Sequence, residues 1–270
     1  MVSQLAKQTE PEILYPVSDG EPLAETFDHL YVLLTTLAVL RQYLAGQRAT
    51  VLANQYMYYV EGKPTARVAP DVMVIFNVKP GGRDNYKIWQ EGEVPSVIFE
   101  ITSEGTEDRD RIFKKNLYEQ LGVIEYWLYD PKGEWIVEHL RGYRLRNDVY
   151  EPITDGRSEP LQLRVQVEGK IIGFTREDTG EKLLIPDELA AALERETEQR
   201  QQATAALERE TEQRRQAEAR AESAEAKAMQ IEQEQQTAVT RLLKMGLSVE
   251  QVSEALGLGF DEVNAIATAQ

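Results

Sequence analysis

The chain has 270 residues, enough for one large domain or a medium domain with an appendage, and its 42% apolar and 28% charged content is ordinary for a soluble protein. The absence of cysteine excludes disulfide frameworks, thiol catalysis and cysteine-ligated metals. A net charge of −16 argues against tight, nonspecific DNA binding, because neutralising phosphates takes Lys and Arg.

The first residues lack a signal-peptide core, and the longest apolar pattern, Tyr31 to Leu40, is too short to cross a bilayer. The expected location is therefore the cytoplasm. Residues 1 to about 22 read as an irregular arm with turns at Pro11, Pro16, Gly20 and Pro22. From Glu25, apolar residues fall at helical spacing (Phe27, Leu30, Leu34, Leu37), predicting a helix to Leu44. Thr50 to Val60 is β-branched and aromatic and reads as one or two strands; Val68 to Phe76 reads as a buried strand with Asp71 at its start.

Lys79 to Gly92 reads as a polar loop whose Arg83, Tyr86, Lys87 and Trp89 are candidates for touching a substrate. Val97–Ile101 is predicted as a strand, Asp108–Leu121 as a helix and Glu125–Tyr129 as a second strand. Trp135–Leu140, Tyr143–Tyr150, Leu161–Val167 and Ile171–Phe174 read as further strands, separated by turns such as Asp155-Gly156 and Glu168-Gly169.

Past Pro186 the composition changes, and the chain divides into 1–185, a long helix at 186–238 and a helical tail at 239–270. The segment Ala191–Ala203 recurs at Ala205–Ala217 with one change, Arg215 in place of Gln201. The period of fourteen is two heptads. With Leu189 and Leu193 at d and a, the seam continues Glu196, Arg200, Ala203, Leu207, Glu210, Arg214, Ala217, Ala221, Ala224, Ala228 and Ile231. Such a seam is small and partly polar, as in a solvated helix or weak coiled coil, and self-association, with a homodimer as the simplest case, is expected. The tail reads as short helices, one capped by Ser248 and ended by Gly257, the next opened by Asp261. Its layout is that of a helix-turn-helix, yet the second helix carries Asp261, Glu262 and Asn264 and no basic residue, so it reads as a docking or dimerising cap rather than a DNA reader.

The chemistry centres on the stretch Pro95–Pro131. Glu100 sits inside an apolar run, where a carboxylate is costly to bury without a partner. If the strands of Asp71 and Glu100 are neighbours, the two carboxylates meet at one sheet edge. Such a pair suits a hard divalent cation that keeps some of its waters, acidifies one of them and stabilises charge on a phosphoryl oxygen. A nearby ammonium then orients the water or stabilises the transition state. Taken singly, Asp71 also suits a turn, Lys114 and Lys115 a solvated helix face, and His29 a structural role.

The ordered set P-D-V-M-V-I-F, P-S-V-I-F-E-I-T-S, D-x-x-x-K-x-x-x-Y and G-V-I-E-Y-W-L-Y-D-P resembles the Uma-two family of endonucleases, common in cyanobacteria, within the PD-(D/E)XK restriction-endonuclease-like superfamily. The resemblance covers roughly residues 15 to 175. It implies an α/β fold with a mixed central sheet flanked by helices, followed here by the long helix and the cap. It implies metal-dependent hydrolysis of DNA with Mg2+, or Mn2+ in its place. Asp71 then matches the Pro-Asp half and Glu100 the acidic residue of the second half. The lysine slot after Glu100 holds Thr102, a departure from the superfamily pattern. The family's E-x(13)-K spacing points to Lys114, with Lys115 as competitor, and Tyr118 lies one turn on. By the same resemblance, the Ile101 carbonyl completes the metal shell. Asp108 and Asp110 read as helix N-terminal residues, with Asp110 also a candidate to hydrogen-bond the site. Glu25 is either a further ligand or a first-turn helix acid. The departure at Thr102 leaves a second expectation open, a nuclease-fold module that binds or regulates without cutting.

Overall fold

The computed structural model describes residues 13–18, 20, 25–102 and 109–268, with the backbone alone at 109–111. It divides into two compact units, Met1–Ala192 and Leu193–Gln270. In the first, helix α1 (Phe27–Tyr43) precedes strands β1 (Ala49–Ala53), β2 (Met57–Tyr58), β3 (Arg67–Val68), β4 (Val72–Phe76) and β5 (Tyr86–Lys87). A single turn, α2 (Ile88–Glu91), leads to β6 (Val97–Ile101). A π-helical segment, Arg109–Lys114, runs directly into α3 (Lys115–Leu121), and β7 (Glu125–Tyr129) follows. Strands β8 (Leu140–Arg146), β9 (Val149–Ile153), β10 (Arg157–Ser158), β11 (Leu163–Glu168) and β12 (Ile171–Arg176) complete the unit. Helix α4 (Pro186–Lys244) follows, then α5 (Val249–Leu256) and α6 (Phe260–Thr268).

The central sheet has six strands in the order β1-β4-β6-β7-β8-β9. Only β6 and β7 pair in parallel; every other ladder in that sheet is antiparallel. A parallel pair requires a crossover, and residues 102–124, with α3, supply it. Burial on both faces explains why β6 reads as a continuous apolar run. Val97, Phe99 and Ile101 pack with α1 and the small β10-β11-β12 sheet, whereas Ile98 packs with Tyr118, Tyr126 and Leu128. The chain is thus the mixed α/β architecture expected, with a long helix after it.

Several predicted elements differ. Val68–Phe76 is two strands, broken where Pro70 lacks an amide and the Asp71 side chain replaces a ladder bond. Trp135–Leu140 is not a strand. The Asp130 carboxylate takes the amides of Lys132, Gly133, Trp135 and Ile136 at 2.7 to 3.0 Å and wraps the segment into a loop, so β8 starts only at Leu140. Tyr143–Tyr150 is a hairpin, because Asn147 and Asp148 both take positive φ (50° and 62°) in the manner of a tight two-residue turn. The polar loop holds β5, paired parallel to β2, and the turn α2. The helix predicted over Glu25–Leu44 is capped at Thr26 and ends at Tyr43. The Asp108 start of the next helix lies outside the described residues.

In the second unit, the end of α4 packs with α5 and α6 through Val239, Val252 and Val263. Ser248 caps α5 in a reciprocal capping box with Gln251. No helix is long and apolar enough to cross a membrane among the described residues.

Candidate active site

The adjacency of β4 and β6 brings Asp71 and Glu100 together. Their register pairs Val72 with Phe99, so the next pair outward is Asp71 with Glu100. The Ile101 amide donates to Asp71 Oδ2 at 2.7 Å, and the Asp71 amide to Glu100 Oε2 at 3.3 Å. Each carboxylate thus ties down the backbone of the other strand, which fixes both side chains before any ligand arrives. Glu100 is 0% exposed and Asp71 8%.

The crossover supplies the positive charge. Lys114 Nζ donates to Glu100 Oε2 at 2.8 Å, and the Tyr118 hydroxyl to Oε1 at 2.7 Å. These two residues are four apart, so they share one helix face. Burial, then the charge of Glu100, pushes the Tyr118 hydroxyl well above the ordinary tyrosine value, which keeps it a proton donor to the carboxylate. Lys115, one step round the helix, instead lies over the rings of Tyr143 and Tyr150 at 4.8 and 5.7 Å. Of the two lysines left open by sequence, the one that meets Glu100 is Lys114.

Helix α1 brings a third group. The Thr26 hydroxyl accepts from the His29 amide at 3.3 Å, capping the helix and fixing its first turn. His29, 4% exposed, then stands between Glu25 Oε2 at 3.5 Å and Asp71 Oδ1 at 3.7 Å. Glu25 precedes the cap, so it is not a first-turn acid; Asp28 has that place. Sequence reasoning gave His29 only a structural role, and its signal was the four-residue spacing from Glu25.

Thr102 is buried, its amide donating to the Tyr129 carbonyl at 2.7 Å and its hydroxyl without a hydrogen-bond partner among the described residues. Ile101 enters the site through its amide. The side chain of Asp110 lies outside the described residues. Arg83, expected near substrate, is engaged by Glu91 at 2.9 and 3.0 Å, and Lys87 lies over the Tyr15 ring. Tyr86 is fully buried.

Among the described residues, no group of three or more His, Asp or Glu side chains is arranged to hold a metal. What the site offers is two buried carboxylates, hard oxygen donors, facing one ammonium. That donor set fits a hard divalent cation that keeps most of its coordination for water and substrate, as Mg2+ does, better than it fits an all-protein cage.

An Asp at the start of β4 and a Glu in β6, side by side at one end of the central sheet and met by a lysine from the crossover, mark the candidate site of this mixed α/β domain. The chain belongs to the Uma2 family, described as "putative restriction endonuclease", whose model matches residues 2–169. Among solved structures it is similar to one from Anabaena variabilis described as a "putative nuclease belonging to DUF820", with 15% identity over 53% of this chain and 77% of the other and a TM-score of 0.37. None of the curated proteins compared with the chain matches it.

Proposed function

We propose that the protein is a Mg2+-dependent endonuclease that hydrolyses DNA phosphodiester bonds, with Mn2+ able to replace Mg2+. The observation that carries this is the convergence of Asp71, Glu100 and Lys114, brought by β4, β6 and the crossover to one end of the central sheet in a member of the Uma2 family. Asp71 and Glu100 would hold the cation, with the Ile101 carbonyl and Glu25 as further candidate oxygens. Bound there, the cation supplies Lewis acidity and an acidified water. Lys114 places a positive charge where negative charge grows on the phosphoryl group. Tyr118 holds Glu100 in position, and His29 orients Asp71 from the other side. The protein would act on cellular DNA in the cytoplasm. As a homodimer it would carry two such sites.

The test is cleavage of supercoiled plasmid by the full chain in Mg2+ and Mn2+, with Mn2+ binding followed by electron paramagnetic resonance. Glu100→Gln and Asp71→Asn are expected to abolish cleavage and weaken Mn2+ binding. Cleavage that survives either substitution overturns the assignment.

A second reading has its own observation: both oxygens of Glu100 are already taken by Lys114 and Tyr118. A closed network of this kind suits a nuclease-fold module that binds or regulates without cutting. Absence of both cleavage and Mn2+ binding selects it.

A further inference from the structure

Helix α4 has 59 residues, and apart from Ala205 every residue from Leu193 to Glu234 is exposed. Most helix stability in proteins comes from packing one face, so so long a bare stretch is unusual. Leu193 and Leu207, 63% and 65% exposed, repeat at the same heptad position. Among the described residues, none of Glu196, Arg200, Glu210 and Arg214 makes an ion pair within the chain, although Glu196 and Arg200 have the favourable four-residue spacing.

Those four residues occupy the seam with a fixed pattern. Glu196 and Glu210 take d; Arg200 and Arg214 take a. In a parallel pair of helices, a packs on a and d on d. At any heptad offset, a parallel dimer therefore never places a seam Glu opposite a seam Arg, and in register it stacks Arg on Arg and Glu on Glu. An antiparallel pair packs a against d, and one offset satisfies every layer of the repeat. Leu193 then faces Ala217 of the second copy, Glu196 faces Arg214, Arg200 faces Glu210, and Ala203 faces Leu207. The two-fold axis passes at Ala205, and the remaining layers are the mirror of these. Every large side chain meets a small one, and every carboxylate meets a guanidinium. The flanking e and g positions from Thr197 to Gln213 are Thr, Gln and Ala, so they add no opposing charge.

We propose that the occupant of this face is a second copy of the chain, joined in an antiparallel coiled coil centred on Ala205. The fourteen-residue repeat is the device that makes it self-complementary: duplicating a segment with Glu at d and Arg at a yields a strip that pairs with itself only when reversed. The inference stands apart from the nuclease reading, since nothing in it uses the candidate active site.

The full chain has no cysteine, so single spin labels can be placed cleanly. In the antiparallel dimer a label at Gln201→Cys lies about 12 Å along the axis from its mate, and one at Ser223→Cys about 54 Å, at 1.5 Å per residue. Double electron–electron resonance should return one short and one long distance. Two short distances mean a parallel pair and overturn the proposal. In sedimentation equilibrium, Arg200→Glu with Arg214→Glu, and separately Glu196→Arg with Glu210→Arg, should each convert dimer to monomer. An equimolar mixture of the two variants should restore the dimer. A wild-type chain monomeric at tens of micromolar (roughly the concentration where standard-size interfaces of micromolar affinity assemble), or a charge variant that stays dimeric alone, refutes it.

Discussion

Replacing Lys114 by Met removes the ammonium that Glu100 meets and leaves a side chain of similar length. Glu100 is 0% exposed and accepts from Lys114 at 2.8 Å, Tyr118 at 2.7 Å and the Asp71 amide at 3.3 Å. After the substitution the Tyr118 hydroxyl and the more distant Asp71 amide, both neutral donors, are among the partners that Glu100 keeps. Breaking a buried ion pair by deleting one partner costs about 3–5 kcal/mol, because a charge is left behind. The surviving hydrogen bonds place this case at the low end, about 3 kcal/mol. Adding Glu100→Gln removes the carboxylate charge that Lys114 met, so the double variant should lose less than the two single losses together, with a coupling of about 2 kcal/mol. All three tryptophans, Trp89, Trp127 and Trp135, lie in the first compact unit, so their fluorescence during urea unfolding reports on the unit that holds the site. A Lys114→Met loss below about 1 kcal/mol, the range of exposed pairs, would refute the claim that this lysine is fixed on a buried carboxylate.

Lys115→Ala should cost under about 1 kcal/mol, the worth of a cation–π contact with Tyr143 and Tyr150, and should leave plasmid cleavage intact; the two lysines then separate in one pair of assays. Asp130→Asn should lower stability at pH 7 by about 2 kcal/mol, because the carboxylate accepts four amides. Burial pushes the Asp130 carboxyl up, but the four amides outweigh it and hold it below the ordinary value of 3.8. A depressed carboxyl stabilises above its unfolded value and loses that contribution as pH falls through the folded one. The gap between wild type and Asp130→Asn in urea melts should therefore be constant near neutrality and close only below about pH 4. Gly142→Ala should destabilise by about 1–3 kcal/mol, since its Cβ would stand 2.6 Å from the Trp127 ring; the urea midpoint measures it.

Sequence pattern carried the mixed fold and the acid-bearing strands because both rest on local rules. A five-residue β-branched run buried on both faces looks the same in sequence as in space. A lone Glu inside it announces a partner. What the pattern missed was set by single side chains acting across turns. Asp130 erased a strand by capturing four amides, and nothing about Trp135–Leu140 itself signals that. Pro70 and Asp71 split another for the same kind of reason, a side chain standing in for a ladder bond. His29 was visible in sequence through its four-residue spacing from Glu25, but its place beside Asp71 depends on how α1 is capped and where it crosses the sheet.

The relocated lysine follows from where its helix sits. A lysine in the Thr102 slot would share a strand face with Glu100, two residues away. Here that slot is a buried threonine, and the charge comes from the crossover. The crossover is the connection that the parallel β6–β7 pair requires, so it must pass over this end of the sheet whatever its sequence. A helix so placed offers positions four residues apart to Glu100, and Lys114 and Tyr118 fill both. One position gives an ammonium and the next a hydroxyl held protonated by burial, which a strand lysine could not supply together. With both donors on the crossover, the orientation of Glu100 depends on the seating of α3. Lys114 itself stands where the π-helical turn gives way to α3.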